Sequence, residues 1–239
     1  MFNSVKIFTL STNNYKAFNE SFLRSFNSLL LPSLPKEFYI FTDFVENPLY
    51  KDFNVKPFYI NHESWPMITL KRYHCMNLIL EQIKKDDLCI FADIDLEVVK
   101  LIESLNITNF FGVEHPGNAL VNNKDSLEDN RESLAFVDKY DLPSSYKYIQ
   151  GCLWGGIGKD FINMIITLKE NTEKDFINGI VAKWHDESHL NKFCVSNINN
   201  FNILSSSYAY PENWTLPHID KLIIHKDKNM HQYPRFQGK

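Results

Sequence analysis

Two aspartates one residue apart, Asp93-Ile94-Asp95, directly follow the unbroken apolar run Leu88-Cys89-Ile90-Phe91-Ala92. In extended backbone, residues two apart point to the same side, so both carboxylates can face one cation. Hard oxygen ligands of this kind suit Mn²⁺ or Mg²⁺, which would bridge diphosphate oxygens and absorb charge on a leaving group. The alternative is a pair of solvated acids opening a loop. Position favours the metal, because the apolar run reads as a buried central strand, and open α/β sheets hold ligands at the carboxyl ends of such strands.

A second concentration of reactive side chains is Trp184-His185-Asp186-Glu187-Ser188-His189. Trp184 offers a flat face for a sugar ring, Asp186 and His189 can hydrogen-bond its hydroxyls, and Glu187 can face an anomeric carbon. A carboxylate there stabilises or attacks an oxocarbenium-like centre, as in glycosidases. The same residues also fit a helix start, with Asp186 as N-cap, His189 at the capping-box position and Trp184 as a staple. The stretch Tyr148-Ile149-Gln150-Gly151-Cys152-Leu153-Trp154-Gly155-Gly156 sets small residues among bulky ones. It admits close approach of a ligand to the backbone or a tight turn in the core. The spacing of a phosphate-binding P-loop is missing. Phe8 and Tyr15, with Asn13 and Asn14, stand near the first strand end and could hold a base and ribose, although core packing accounts equally for Phe8. Lys226, Lys228, His231 and Arg235 form a basic tail able to close over a diphosphate or simply to solubilise the chain end.

The elements that must position these groups follow from periodicity. Strands are expected at Val5 to Leu10, Glu37 to Thr42, Val55 to Ile60 and Leu88 to Ala92, with a further strand around Asn202-Ile203-Leu204. Helices are expected from Tyr15 to Leu31, Ile68 to Lys84, Lys159 to Lys169 and about Ser188 to Val195. Residues 93 to 156 look loop-rich, with a polar cluster from Asn118 to Asn130. The order predicts an α/β fold with a Rossmann-like, mostly parallel central sheet flanked by helices. With 239 residues, 44% apolar and 14% aromatic, the chain can bury a large core. A net charge of −4 with dispersed basic residues argues against nucleic acid as a partner. Cys75, Cys89, Cys152 and Cys194 are scattered without a CxxC pair, which suits reduced, buried thiols in a cytoplasm. No run reaches the roughly 18 to 20 apolar residues of a transmembrane segment, so a soluble protein is expected.

Taken together, the runs resemble glycosyltransferase family 6, which includes the histo-blood-group A and B transferases and the α-1,3-galactosyltransferase. The pieces that carry the resemblance are Trp65-Pro66 with Lys71-Arg72, Asp93-Ile94-Asp95-Leu96-Glu97, His115-Pro116-Gly117, Arg131-Glu132-Ser133 and Gly155-Gly156. Its longest element runs from Asn178 through Trp184-His185-Asp186-Glu187-Ser188-His189 to Lys192, and the tail adds Lys228-Asn229, His231-Gln232 and Arg235. The resemblance implies a single GT-A catalytic domain over 1–239: about 1–97 for the nucleotide, about 98–225 for acceptor and catalysis, and 226–239 closing over the donor. It further implies a retaining, metal-dependent transferase moving galactose or N-acetylgalactosamine from a UDP-sugar to an oligosaccharide or glycolipid galactoside, in α-1,3 linkage. By the family's motifs Asp93 and Asp95 bind the metal, with Ile94 between them among the donor contacts, alongside Arg72, Asp186, Lys228 and Arg235. Glu187 meets the reacting carbon, while His115, Trp184 and His185 meet the acceptor. Gln150, Gly151 and Cys152 match positions that help choose the sugar. Two other classes stay open: a non-catalytic sugar- or nucleotide-binding module, and a metal-dependent hydrolase using Asp93, His185 and Asp186.

Overall fold

The computed structural model describes residues 2–117 and 124–228. Arg235, His231 and Gln232 of the basic tail, and 118–123 of the polar cluster, lie outside the described residues. Strand β1 (Ser4–Ser11) alternates its side chains between two cores: Val5 and Ile7 face one cluster, Phe8 and Leu10 the other. Strands β2 (Lys36–Thr42) and β3 (Val55–Tyr59) extend the sheet in parallel on one side. On the other side β4 (Asp87–Ala92) lies parallel to β1, with Leu88, Ile90 and Ala92 facing the first core and Cys89 and Phe91 the second. Helix α1 (Asn19–Leu29) covers the first face through Phe22, Leu23 and Phe26.

The Ile68 to Lys84 stretch is not one helix. It breaks into α2 (Met67–Leu70), α3 (Arg72–Asn77) and a 3-10 turn at Leu80–Gln82. The expected Tyr15 to Leu31 helix likewise opens with a 3-10 segment, Asn13–Phe18, before α1. The larger departure is in 93–156, which holds strands β5 (Leu96–Val98), β6 (Phe110–Glu114) and β7 (Ile149–Ile157). The Gly155-Gly156 segment is therefore the closing part of a nine-residue buried strand, not a loop. β7 runs antiparallel between β4 and β6, and β8 (Phe201–Leu204) pairs parallel with β6. The sheet order is β3-β2-β1-β4-β7-β6-β8, and most neighbouring pairs are parallel.

Helix α4 (Gly158–Ile177) and helix α5 (His185–Ser196) pack with α3 on the second face through Phe161, Met164, Leu168 and Leu190. A small sheet, β5-β10-β9, joins β10 (Ile223–His225) antiparallel to β5 and parallel to β9 (Tyr210–Pro211). This layered arrangement is the GT-A fold. The four cysteines are free and buried. Among the described residues no helix is long and apolar enough to cross a membrane.

Gly155 is required where β7 lies against its neighbour β4 in the sheet. A Cβ there would stand 2.0 Å from the Cys89 carbonyl oxygen and 2.7 Å from the Phe111 ring. What approaches this glycine is the neighbouring strand, not a ligand. Gly155→Ala is therefore expected to destabilise the fold by about 3 kcal/mol or to prevent folding, read by urea denaturation. A loss under about 1 kcal/mol would contradict this strand register.

Candidate active site

β4 ends at Ala92, and the Asp93 N–H donates to the Cys152 carbonyl at 2.8 Å. Because β7 runs antiparallel to β4, its beginning, Gln150-Gly151-Cys152, lies at the carboxyl edge of β4. The Asp93-Ile94-Asp95 segment is a turn closed by the Leu96 N–H donating to the Asp93 carbonyl. The two carboxylates converge because the chain turns, not because it is extended as expected. They are joined by a residue that sequence reasoning missed: oxygens of Asp93 and Asp95 and a ring nitrogen of His225 all lie within 4.8 Å of one another. His225 Nε2 is 3.3 Å and Lys228 Nζ 3.0 Å from Asp95 Oδ2.

The residues present fit a cation. Asp95 is 2% exposed, and its Oδ2 has no hydrogen-bond partner of good geometry despite the two charges beside it. Burial opposes ionisation of Asp95, but His225 and Lys228 hold its carboxyl well below the usual range. Burial pushes the Asp93 carboxyl up, against the pull of Arg72. Tyr15 stands at the same edge, with the Lys228 ammonium 4.9 Å from its ring centre.

Arg72 joins this edge to α5. Its guanidinium is buried, stacked 4.6 Å from the Phe91 ring centre. Nη1 donates to the Gly151 carbonyl at 2.8 Å and pairs with Asp186 Oδ2 at 3.1 Å, while Nη2 lies 3.7 Å from Asp93 Oδ1. The Tyr73 hydroxyl donates to the Asp186 carbonyl at 2.9 Å. Asp186 is therefore the buried counter-ion of Arg72, not an N-cap. Trp184 holds the N-cap position, and its N–H donates to Ser188 Oγ at 2.9 Å. His185, the residue before the two carboxylates, takes a left-handed φ of 52°, a strained conformation for a residue with a side chain.

Glu187 Oε1 accepts the Tyr148 hydroxyl at 2.7 Å, and Oε2 accepts the Gly151 N–H at 2.6 Å. Gly151 leaves room for this approach: a Cβ there would lie 3.3 Å from Glu187 Oε2 and 3.4 Å from Asp186 Oδ2. Burial pushes the Glu187 carboxyl up to about 7, opposed by the two hydrogen bonds.

Asp93, Arg72, Gly151, Glu187 and His225 line one cleft of about 320 Å³, with Gln150, Cys152 and Asp186. Its rim carries Trp184, Trp65 and Trp214, exposed by 48%, 64% and 43%, together with His115 and His185. Burial lowers the pKa of both histidines, and His185 packs edge-on against Trp65 at 4.5 Å. The structure thus gathers Arg72, Asp93, His115, Gln150 to Cys152 and Trp184 to Glu187 in one cleft, with Asp95, Lys228 and Tyr15 beside it. Two expected donor contacts are exceptions. Ile94 is one: it is 2% exposed and its side chain packs in the first core. Phe8 is the other. It is fully buried, stacked on Tyr39 and Phe161, so its ring is core and not a nucleotide contact. His189, offered for sugar hydroxyls, is also buried, 3.5 Å from Asp175.

The glycosyltransferase family 6 model matches residues 3–233. The chain belongs to that family. The O-antigen biosynthesis glycosyltransferase WbnI of Escherichia coli is 27% identical over 230 residues, covering 94% of each protein. The histo-blood group ABO system transferase 2 of Rattus norvegicus is 27% identical over 138 residues, 56% of this chain and 40% of that one. The globoside α-1,3-N-acetylgalactosaminyltransferase 1 of Gallus gallus is 26% identical over 200 residues, 79% of this chain and 57% of that one. This family 6 chain is a glycosyltransferase, and such an enzyme requires a sugar donor and an acceptor.

Removing the guanidinium leaves Asp186 and Asp93 facing each other without their shared cation. Arg72→Met is expected to cost about 3 to 5 kcal/mol in urea denaturation at pH 8, the scale for a broken buried ion pair. A loss under about 1 kcal/mol would mean that the guanidinium does not join the two elements.

Proposed function

We propose that this family 6 enzyme moves a hexose, galactose or N-acetylgalactosamine, from a UDP-sugar to a galactoside hydroxyl in α-1,3 linkage, with retention at the anomeric carbon. The observation that carries the reading is that Glu187 and Asp93 line one cleft, joined through Arg72 and Gly151. The name of the chicken relative, which states an α-1,3 linkage and N-acetylgalactosamine, supports the linkage and the donor class. The free, buried thiols fit a reducing compartment such as the cytoplasm.

Asp93 and Asp95, with Mn²⁺ as the expected ion and Mg²⁺ as the alternative, would hold the diphosphate, and the ion supplies charge neutralisation to the leaving group. Burial raises the pKa of Asp93 and Asp186, and Arg72 opposes that shift in favour of their ionised forms while it holds the Gly151 carbonyl. Lys228 adds a positive charge at the phosphate side. As the bond from the anomeric carbon to the diphosphate oxygen breaks, Glu187 stabilises the positive charge on that carbon. The acceptor hydroxyl bonds to the carbon on the face the diphosphate vacates, and its proton passes to the departing phosphate oxygen. Trp184 and the neutral His115 and His185 hold the acceptor ring at the rim. Gln150 and Cys152 face the donor sugar from the start of β7.

UDP release from a panel of UDP-sugars, with and without lactose-type and fucosylated acceptors, tests the reading. Acceptor-dependent release from UDP-galactose or UDP-N-acetylgalactosamine is expected. Binding without turnover would indicate a sugar-binding module, and water as the only acceptor would indicate a hydrolase. Selectivity for glucose-type donors would contradict the expectation at Gln150 to Cys152. Glu187→Gln is expected to lower kcat by at least about 100-fold, the scale for loss of a group aimed at transition-state charge.

The ionised form of Glu187 is the working one, so kcat/KM is expected to fall as pH drops below about 7. Tyr148→Phe removes a donor to that ionised form and is expected to move the acid limb to higher pH. An unmoved limb would mean that another group governs it.

A further inference from the structure

A cation held by Asp93 and Asp95 alone leaves His225 without a role. Its placement is fixed by the fold. His225 closes β10 opposite Leu96, the residue after Asp95, and the next residue, Lys226, donates its N–H to the Asp95 carbonyl at 2.9 Å. The imidazole is therefore delivered to the aspartate turn by a paired strand, not by a wandering side chain. Nε2 stands 3.3 Å from Asp95 Oδ2, and all three groups offer an atom within 4.8 Å of one another. Neighbouring ligand atoms of an octahedral ion with bonds near 2.1 Å lie about 3 Å apart, and opposite ones about 4.2 Å. The Cys152 thiol interacts with the same imidazole, so a second group holds the ring in place.

We infer that His225 is a third protein ligand of the divalent cation, completing an Asp93-Asp95-His225 set on which the preference for Mn²⁺ over Mg²⁺ depends. Imidazole is a good ligand for first-row transition ions and a poor one for Mg²⁺, which takes oxygen donors and keeps its waters. Two carboxylates alone discriminate weakly between those ions. For the ion to bind, His225 Nε2 must release any proton it carries to solvent, and the Lys228 ammonium, 3.0 Å from Asp95 Oδ2, must give up that oxygen. This inference rests on the aspartates forming a cation site.

The test is pulsed electron paramagnetic resonance of Mn²⁺ bound to the whole enzyme without donor, with ¹⁵N-histidine labelling, alongside Mn²⁺ and Mg²⁺ titrations of wild type and His225→Ala. The expected result is a directly bound histidine nitrogen in wild type, lost in His225→Ala. Mn²⁺ affinity is expected to fall on the order of 10- to 100-fold in the variant while Mg²⁺ affinity moves little. Bound Mn²⁺ without a histidine coupling, together with unchanged affinity in the variant, would overturn the inference and leave the aspartate site standing. Absence of any Mn²⁺ binding to wild type would overturn both. The wild-type spectrum decides the matter even if the variant does not fold.

Discussion

A buried guanidinium is the constraint on which this site depends. Arg72 is 6% exposed, and a charge in that position is tolerated only where opposite charges and hydrogen-bond acceptors surround it. Asp186, Asp93, the Gly151 carbonyl and the face of Phe91 provide that environment, drawn from three separate parts of the chain. The N-terminus of α5, the end of β4, the start of β7 and the start of α3 are thereby brought to one place. Because an unpaired charge here is costly, the four elements cannot drift apart without loss of the network.

The same network explains the electrostatic contrast between the two ends of the cleft. At the sheet edge His225 and Lys228 keep Asp95 ionised despite its burial. At the α5 end Glu187 has no cation in contact. It is held by a phenol and a backbone N–H, and burial raises its pKa into the neutral range. One carboxylate is thus poised to ligate a cation, the other to respond to positive charge forming on carbon. Aromatic rings at the rim supply apolar faces suited to sugar rings, and the charged groups Arg72, Asp93, Asp186 and Glu187 line the same cleft.

Much of this was legible in the residues. Alternation marked β1 and an unbroken apolar run marked β4, a strand buried on both faces, while β2 read as a strand from its Phe, Tyr and Ile content. The Asp93 and Glu187 motifs announced themselves by residue type and spacing. β7 was not legible as a strand, since its glycines read as turn residues, yet at Gly155 the requirement is close passage past the Cys89 carbonyl. Periodicity across Ile68 to Lys84 concealed the breaks that put Arg72 at the first position of α3. Phe8 was ambiguous between core and ligand because an aromatic at a strand end serves either purpose, and its stacking on Tyr39 and Phe161 settled it as core. His225 escaped notice because its pairing to β5 is a long-range contact. The signal available was Leu222-Ile223-Ile224 ending in a ligating side chain, the same pattern of apolar strand and polar terminus that revealed Asp93.

The central claim is that the Glu187 carboxylate and the cation-binding aspartates act on one substrate molecule from opposite ends of a single cleft. A crystal structure of the enzyme with Mn²⁺ and an intact, slowly reacting UDP-sugar analogue tests it most directly. The account predicts the diphosphate at Asp93 and Asp95 and the anomeric carbon about 3 to 3.5 Å from a Glu187 oxygen, a near-attack separation. A sugar seated with that carbon turned away from Glu187, or a diphosphate bound away from the two aspartates, would contradict it.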